Sequence, residues 1–279
     1  MRASEFVYSV LLRPRPLRFA ANFLLRASVP QKVVRHGATI VLNQQDPIVS
    51  GALALGVYEP DETSFFISAC RPGMTFLDVG ANCGYYTALF LAHCGLDSRV
   101  VALEPDPQCF EFLSRTVAAN GGERVDCLQM AASNSAGVAH LYRNLDNRGD
   151  NRLYSNDLAT SQCEVRTDTI DSILAEIGLK ELSLIKMDVQ GYEGRVLQGM
   201  RHTLSNAPVL TILSEFWPWG LRQAGTDPAV FLKSLEELGF ELFQLARHGK
   251  LARIEHHAAL IESYPGRRYT NVVAVKRSR

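Results

Sequence analysis

The segment from Thr75 to Thr87 constrains the fold of this chain more than any other segment. A short apolar run is followed by an acid, a tight turn with two glycines, and an apolar stretch of helical length. Glycine permits positive φ and close approach of a ligand to the backbone, and a helix start offers free N–H groups. A strand, turn and helix of this kind predict the first unit of a nucleotide-binding α/β sheet. The residues of the motif are Asp78, Gly80, Asn82, Gly84 and Tyr85.

The rest of the chain alternates short apolar runs with amphipathic stretches, which predicts a doubly wound, mostly parallel sheet of the Rossmann-like α/β class. Further strands are predicted over residues 99–103, 125–130, 182–187, 209–213, 240–245 and 271–275. Residues 136–142 fit an edge strand, and residues 191–204 fit one helix. Residues 143–163 form a long polar stretch, and residues 246–270 a loop. A long polar loop inside a compact domain is usually functional or mobile.

Composition narrows the class of protein. A hydrophobic fraction of 47% and a charged fraction of 21% fit a globular protein with a sizeable core. Lys plus Arg and Asp plus Glu both number 29, so the overall charge gives no reason to expect a nucleic acid partner. The six cysteines contain no Cys-x-x-Cys pair, which favours buried free thiols in a reducing compartment and hence a cytoplasmic location.

The first 30 residues carry five arginines interleaved with apolar residues, against the single acid Glu5. One interpretation is a basic amphipathic segment that weakly contacts an anionic membrane surface, which would place the protein at the inner face of the membrane. The alternative is a helical extension that packs on the domain or on a neighbouring subunit of a homo-oligomer. We therefore divide the chain into an N-terminal extension, residues 1–70, and a core domain, residues 71–279.

Acids follow three of the predicted parallel strands, where the carboxyl ends of the strands meet at one edge of the sheet: Glu104, Asp188 and Glu215. Glu104 lies 20 positions after Gly84, where an acid accepts hydrogen bonds from both hydroxyls of a ribose. Its alternative role is to cap the helix after Pro105. A ribose-bearing cofactor is expected, either a dinucleotide or S-adenosylmethionine.

The residues of the turn favour one of these two cofactors. Asp78 would face a pyrophosphate badly, whereas it suits the amino group or sulfonium of S-adenosylmethionine. Asn82 also suits an amino-acid tail better than a phosphate. The spacing Gly-x-Asn-x-Gly differs from that of dinucleotide sites and disfavours an NAD-dependent oxidoreductase.

Several blocks of the chain resemble the FkbM family of class I S-adenosylmethionine-dependent methyltransferases. Asp-Val-Gly-Ala-Asn-x-Gly over 78–84 is similar to their motif I, and Ile-Lys-Met-Asp-Val-Gln-Gly-Tyr-Glu over 185–193 is similar to their Ile-Lys-x-Asp-x-Glu-Gly-x-Glu block. Further similar pieces are Tyr58-Glu59-Pro60, Thr167–Asp171 and Ser214–Phe216, in the expected order over roughly residues 40–245. Gln190 departs from the block, which usually has Glu there.

The resemblance implies a seven-stranded sheet with an antiparallel last strand. It implies methyl transfer from S-adenosylmethionine to oxygen, usually to a hydroxyl of a sugar, glycolipid, polysaccharide or natural product, so the expected partner is a small-molecule or glycan acceptor. Combined with the strand-end positions, it predicts a cofactor site made of Glu59, Asp78, Gly80, Asn82, Gly84, Tyr85, Glu104, Pro105, Ala131 and Asp188.

Three residues are candidates for the transfer itself. Asp188 is the first choice for the base or acceptor-orienting group, and Glu193 is the second. Lys186 lies two residues before Asp188, on the same side of the strand, and can orient it. Structural alternatives are an acid in the first turn of a helix for Glu193 and an ion-paired strand residue for Lys186.

Other interpretations stay open at this point. Asp188 and Glu215 form a candidate divalent-cation site, but no third ligand is evident, so no metal is predicted. Trp217 either forms an apolar wall against a sugar ring or packs in the core. The arginines at 143, 148 and 152 either recognise an acidic acceptor or are solvated loop charges. Loss of Glu at 190 also leaves room for a non-catalytic cofactor- or partner-binding module.

Overall fold

The computed structural model describes residues 29–145, 147–155 and 158–278. The predicted basic segment thus lies almost wholly outside the described residues. The strands are β1 (Lys32–Arg35), β2 (Ala38–Val41), β3 (Thr75–Val79), β4 (Arg99–Leu103), β5 (Val125–Leu128), β6 (Ala131–Ala132), β7 (Gly137–Arg143), β8 (Ser161–Asp168), β9 (Leu184–Met187), β10 (Leu210–Phe216), β11 (Glu241–Leu245), β12 (Leu251–Arg253) and β13 (Thr270–Lys276).

The α-helices lie between these strands. They are α1 (Val49–Leu55), α2 (Pro60–Ala69), α3 (Tyr85–His93), α4 (Pro107–Ala118), α5 (Ile170–Ile177), α6 (Glu193–Gln198), α7 (Arg201–Asn206), α8 (Pro218–Gln223), α9 (Pro228–Glu237) and α10 (His257–Ser263). No helix in the described part of the chain has the length and apolar character needed to span a bilayer.

One large sheet organises the molecule, with strand order β12-β11-β13-β10-β9-β3-β4-β5. The five strands from β10 to β5 are parallel, and β13 is antiparallel to both β10 and β11. This confirms the doubly wound Rossmann-like sheet with an antiparallel last strand. After β5 the chain crosses back to place β9 beside β3, so the strand order reverses there, at the position where such sheets bind ligands.

The central strands are buried on both faces. Along β4, Val100 and Ala102 pack in one hydrophobic cluster while Val101 and Leu103 pack in the other. Alternation along a strand sends neighbours to opposite faces, so a strand covered on both sides becomes an unbroken apolar run. That is why the sequence predicted these strands well.

The described part of the predicted extension joins the same core. Residues of β2, α1 and α2 belong to the hydrophobic cluster that also contains Phe76 and Leu89. The backbone N–H of Val41 donates to Thr116 Oγ1 at 3.0 Å and that of Thr39 to Asn120 Oδ1 at 2.9 Å, which fixes β2 to the end of α4. The boundary at residue 70 stays a prediction.

A second sheet corrects the prediction for residues 136–163. β7 pairs antiparallel with β8, and β6 pairs parallel with β8, in a three-stranded sheet of its own rather than at the edge of the large sheet. β8 takes up the end of the predicted polar stretch. Its polar residues face outward while Val165 and Thr167 are buried, so composition alone concealed the strand.

Two further details differ from the sequence-based predictions. The expected helix over 191–204 is two helices, α6 and α7, that meet at Gly199. A Cβ on Gly199 would lie 1.9 Å from the carbonyl oxygen of Ser133, so this close approach requires glycine. The large sheet also has eight strands instead of the expected seven. The additional edge strand is β12, whose three residues are all exposed and therefore show no alternation that would predict a strand.

Candidate active site

The glycine turn between β3 and α3 is fixed to both neighbouring strands. Gly80 has φ +84°, and its N–H and that of Ala81 donate to the carbonyl oxygen of Leu103 at 3.0 and 2.9 Å. A Cβ on Gly80 would lie 2.1 Å from the carbonyl oxygen of Asp188. The turn therefore packs against the ends of β4 and β9 at once, where only glycine fits.

Glu104 lies at the end of β4 with little exposed surface. Its Oε2 accepts a hydrogen bond from the N–H of Asn82, and its Oε1 accepts one from the N–H of Asp106, both at 2.8 Å. Burial, with the nearby charges of Asp106 and Asp78, raises the pKa of Glu104 to about 8. The capping role considered for Glu104 belongs to Asp106, whose carboxylate accepts from the first N–H groups of α4.

A cavity of about 370 Å³ opens along the carboxyl edge of the sheet, within the usual size range of small-molecule sites. Seven of the predicted site residues line it: Glu59, Gly80, Asn82, Glu104, Pro105, Ala131 and Asp188. The structure brings these together from five different parts of the chain.

The other predicted cofactor residues, Asp78, Gly84 and Tyr85, do not line the cavity. The Asp78 carboxylate accepts from Thr87 Oγ1 at 2.7 Å within the fold, and burial raises its pKa to about 6. The Tyr85 hydroxyl bonds to Thr63 Oγ1 at 3.0 Å, and Gly84 packs against Leu113. These residues support the turn rather than line the cavity.

Lys186 and Asp188 form an ion pair at the end of β9. Nζ of Lys186 lies 3.3 Å from Oδ2 of Asp188 and 5.2 Å from the centre of the Tyr86 ring. Burial alone would lower the pKa of Lys186, but the carboxylates of Asp188 and Glu59 raise it above its usual value. Lys186 is therefore a buried cation that holds Asp188, which keeps part of its side chain open to the cavity.

Glu193 braces the loop that follows Asp188. It is fully buried, and its Oε1 accepts from the N–H groups of Val189 and Gly191 at 3.1 and 3.2 Å. Burial, followed by the charge of Asp188, raises the pKa of Glu193 to about 7. Its side chain does not line the cavity, so its contacts are those of a loop brace in the first turn of α6.

Glu59 enters the cavity from the other side, immediately before α2. It has φ +40°, an unusual conformation for a residue with a side chain, and its Oε2 accepts from the Tyr86 hydroxyl at 2.5 Å. Burial and the charge of Asp188 raise the pKa of Glu59 to about 7, although Lys186 opposes the shift. With Asp188 and Glu215 it gives the cavity three acidic side chains.

Part of the polar stretch over residues 143–163, which the sequence analysis singled out as functional or mobile, lies against the cavity. Residues 147–153, here called the strap, line it, and they are anchored on the buried Asp106. Arg143, just before the strap, donates to Oδ2 of Asp106 at 2.5 Å, and Arg148 lies 3.7 Å from the same atom. Asn151 Nδ2 donates to it at 3.3 Å.

The arginines of the strap are buried, so the interpretation as solvated loop charges was wrong for Arg148 and Arg152. They are 6% and 3% exposed. Arg152 pairs with Asp150 and lies 4.6 Å from the centre of the Trp217 ring, which lines the cavity. A run of Asn, Asp, Arg and Gly gives no sequence signal that distinguishes such burial from a mobile loop.

Removing the charge of Asp106 should loosen the strap. Asp106→Asn keeps an oxygen that caps α4 but leaves two guanidinium groups without their carboxylate, and we expect a loss of about 3 kcal/mol in the free energy of unfolding. Hydrogen exchange in residues 147–153 should accelerate. Glu111→Gln, which breaks an exposed pair with Arg115 on the same helix, should cost about 0.5 kcal/mol or less. Equal losses in urea unfolding, with unchanged exchange, would contradict the anchoring role.

The candidate cation site of the sequence analysis, between Asp188 and Glu215, contains a side-chain amide. The side-chain amide of Gln190 lies between Asp188 and Glu215 and donates to Asp188 Oδ1 at 2.9 Å. Over the described residues, no group of three His, Cys, Asp or Glu side chains has an arrangement that would hold a metal ion.

Comparison with known proteins gives a consistent family. The chain is 28% identical to methyltransferase sdnD of Sordaria araneosa, over 52% of this chain and 68% of that protein. It is 25% identical to the hexuronic acid methyltransferase AglP of Haloferax volcanii, over 68% of this chain and 73% of that protein.

A solved structure shares the fold. The crystal structure of methyltransferase FkbM from Methylobacillus flagellatus KT superimposes with a TM-score of 0.50 at 15% identity, over 92% of this chain. This chain spans 59% of the length of that one. The model of the methyltransferase FkbM domain matches residues 78–242, from the acid before the glycine turn to the middle of β11. Because this match covers more than half of the 279 residues, the chain belongs to the FkbM family of methyltransferases.

Proposed function

We propose that the protein transfers a methyl group from S-adenosylmethionine to a hydroxyl oxygen of a sugar, a glycolipid or polysaccharide, or a natural product. The observation that carries this proposal is that Glu104 and Asp188 line one cavity, on opposite sides of the glycine turn. Glu104 then accepts from the ribose hydroxyls, and Asp188 lies where the methyl group meets the acceptor.

The charges of the cavity fit this donor. Glu59, Asp188 and Glu215 line the cavity together, and in their ionised form such carboxylates favour the ammonium and sulfonium groups of S-adenosylmethionine. A dinucleotide would place a pyrophosphate in the same acidic region. The bound donor supplies a methyl group on a good leaving group, so the residues of this chain mainly position two reactants.

Asp188 acts on the acceptor. A bound donor would supply the methyl group to the acceptor oxygen, and the Asp188 carboxylate would take up the proton that the hydroxyl loses as it is methylated. Lys186 keeps that carboxylate oriented through its 3.3 Å contact. Trp217 also lines the cavity, and the part of its ring that Arg152 leaves uncovered suits the face of a sugar ring.

The relatives support the acceptor class. One of them is named as a hexuronic acid methyltransferase, so a sugar that carries a carboxylate is a first acceptor to test. Differential scanning fluorimetry with S-adenosylmethionine, S-adenosylhomocysteine and NAD tests the donor. We expect stabilisation by the first two, and stabilisation by NAD alone would overturn the proposal. A glycan panel with labelled methyl donor, including uronic acid and neutral sugars, then tests the acceptor.

The affinity for S-adenosylhomocysteine should rise with pH. Ribose hydroxyls donate to the ionised form of Glu104, whose pKa in the unbound protein is raised to about 8. Binding below that pH therefore releases a proton, and the affinity should increase by about tenfold per pH unit between pH 6 and 7.5. Calorimetry in two buffers of different ionisation enthalpy measures the proton release.

The same shift has the opposite effect on the unbound protein. Its folded state holds the Glu104 proton more tightly than the unfolded chain, so this contribution to stability is lost as the pH rises through about 8. Glu104→Gln should bind weakly and flatten the pH dependence of binding. An affinity that falls with pH in the unmodified protein would contradict the assignment of Glu104.

A further inference from the structure

Gln190 has an unusual position for a side chain next to the reacting groups. Its Nε2 donates to Asp188 Oδ1 at 2.9 Å and lies 3.5 and 3.4 Å from the two carboxylate oxygens of Glu215. One amide nitrogen thus faces three carboxylate oxygens from two strand ends. Gln190 also lines the cavity.

The backbone of Gln190 is held in place against its own preference. Its φ is +54°, a left-handed conformation that costs a residue with a Cβ about 1 kcal/mol. The Tyr154 hydroxyl donates to its carbonyl oxygen at 2.7 Å, and Glu193 holds the N–H groups on both sides of it. Three hydrogen bonds thus hold the backbone in a strained conformation, which indicates that the position of the side-chain amide matters.

The requirement for an amide at this position is electrostatic. Asp188 and the buried Glu215 both contact the Gln190 amide, and two acids this close disfavour each other's ionised form. Burial, followed by the charge of Asp188, raises the pKa of Glu215 well above its usual value. Lys186 contacts Asp188 through Oδ2, the oxygen that Gln190 does not touch, and its charge also acts on Glu215, but its hydrogen bond goes to Asp188. A cation, N–H donors or a proton on Glu215 relieves this repulsion, and Gln190 supplies N–H donors to both acids.

We propose that the Gln190 amide occupies the place of a divalent cation, holding Asp188 and Glu215 in position for methyl transfer without a metal. This makes Gln190 a positioning residue, and the part that concerns methyl transfer rests on the function proposed above. The rest concerns only the cavity: a carboxylate at position 190 would supply the third oxygen ligand that a hard cation needs.

The test uses Mn²⁺ and the protein of 279 residues, with free Mn²⁺ followed by electron paramagnetic resonance. Gln190→Glu should bind Mn²⁺ at least about tenfold more tightly than the unmodified protein, as expected when a third carboxylate joins the site. The double variant Gln190→Glu/Glu215→Gln should lose most of that gain. Equal Mn²⁺ affinity of the unmodified protein and Gln190→Glu would overturn the proposal.

A second variant covers the case in which Gln190→Glu does not fold. Gln190→Asp places a shorter carboxylate at this position, and Asp tolerates the left-handed backbone better than most residues. Mn²⁺ should therefore raise its melting temperature while leaving that of the unmodified protein unchanged. A Mn²⁺ response of the unmodified protein equal to that of Gln190→Asp, or no response of Gln190→Asp, would contradict the proposal.

These measurements need neither methyl donor nor acceptor. Failure to bind S-adenosylmethionine would contradict the proposed function. The Mn²⁺ results would still show what lies between the two acids. Conversely, methyl transfer that stops on addition of EDTA to the unmodified protein would refute the inference about Gln190 while supporting the proposed function.

Discussion

Asp188→Asn should slow methyl transfer by about 10²–10⁴-fold, the usual contribution of a general base. Asparagine keeps the shape of Asp188 and an oxygen that accepts from Gln190 Nε2, now 2.9 Å away, but it does not take up the hydroxyl proton. It also leaves the buried Lys186 without its contact at 3.3 Å. The loss should appear mainly in kcat, because Asp188 acts on the proton in transit rather than on acceptor binding.

The measurement is turnover with labelled methyl donor on the acceptor that the glycan panel identifies. Glu237→Gln, which breaks an exposed pair with Lys233 far from the cavity, serves as the control and should leave turnover unchanged. Full turnover by Asp188→Asn would show that the hydroxyl proton leaves by another route and would remove the assignment of Asp188 as base.

Gly80→Ala should destabilise the protein by about 3 kcal/mol or more, because it combines backbone strain with a clash. Alanine at φ +84° is strained, and its Cβ would lie 2.1 Å from the carbonyl oxygen of Asp188, so the ends of β3 and β9 must move apart. The same movement shifts the ion pair of Lys186 with Asp188, so the affinity for S-adenosylhomocysteine should fall as well.

Gly73→Ala is the matched control. Gly73 has φ +75° but nothing within 4 Å of an added Cβ, so only the backbone cost of about 1 kcal/mol applies. Urea unfolding of the two variants separates strain from close packing. Equal losses in the free energy of unfolding would mean that the turn can relax away from β9.

The sequence predicted the sheet because its central strands are buried on both faces. Continuous apolar runs such as Val100–Leu103, each followed by a turn, leave few alternatives to a parallel strand. By contrast, β8 was hidden because most of its residues are polar and face outward, and the strap was hidden because its polar residues are satisfied by partners distant in sequence. Asp106, which anchors the strap, lies 37 residues before Arg143.

The candidate site follows the same division. Gly80, Asn82, Glu104 and Asp188 could be named from motif spacing, since strand ends of a parallel sheet converge at one edge, and Glu59 could be named only from the family resemblance. Motif spacing alone did not distinguish residues that line the cavity from residues that support them. The structure shows that Asp78 and Glu193 do not line the cavity. The contacts of the Gln190 amide depend on side-chain geometry that no spacing encodes.

The central claim is that the donor lies with its ribose at Glu104 and its reactive sulfur toward Asp188. A crystal structure with S-adenosylhomocysteine tests this most directly. We predict ribose hydroxyls within hydrogen-bonding distance of Glu104, and a sulfur that leaves space for an acceptor oxygen about 3 Å from the transferred carbon, on the side of Asp188. S-adenosylhomocysteine bound away from Glu104, or with its sulfur turned from Asp188, would contradict the account.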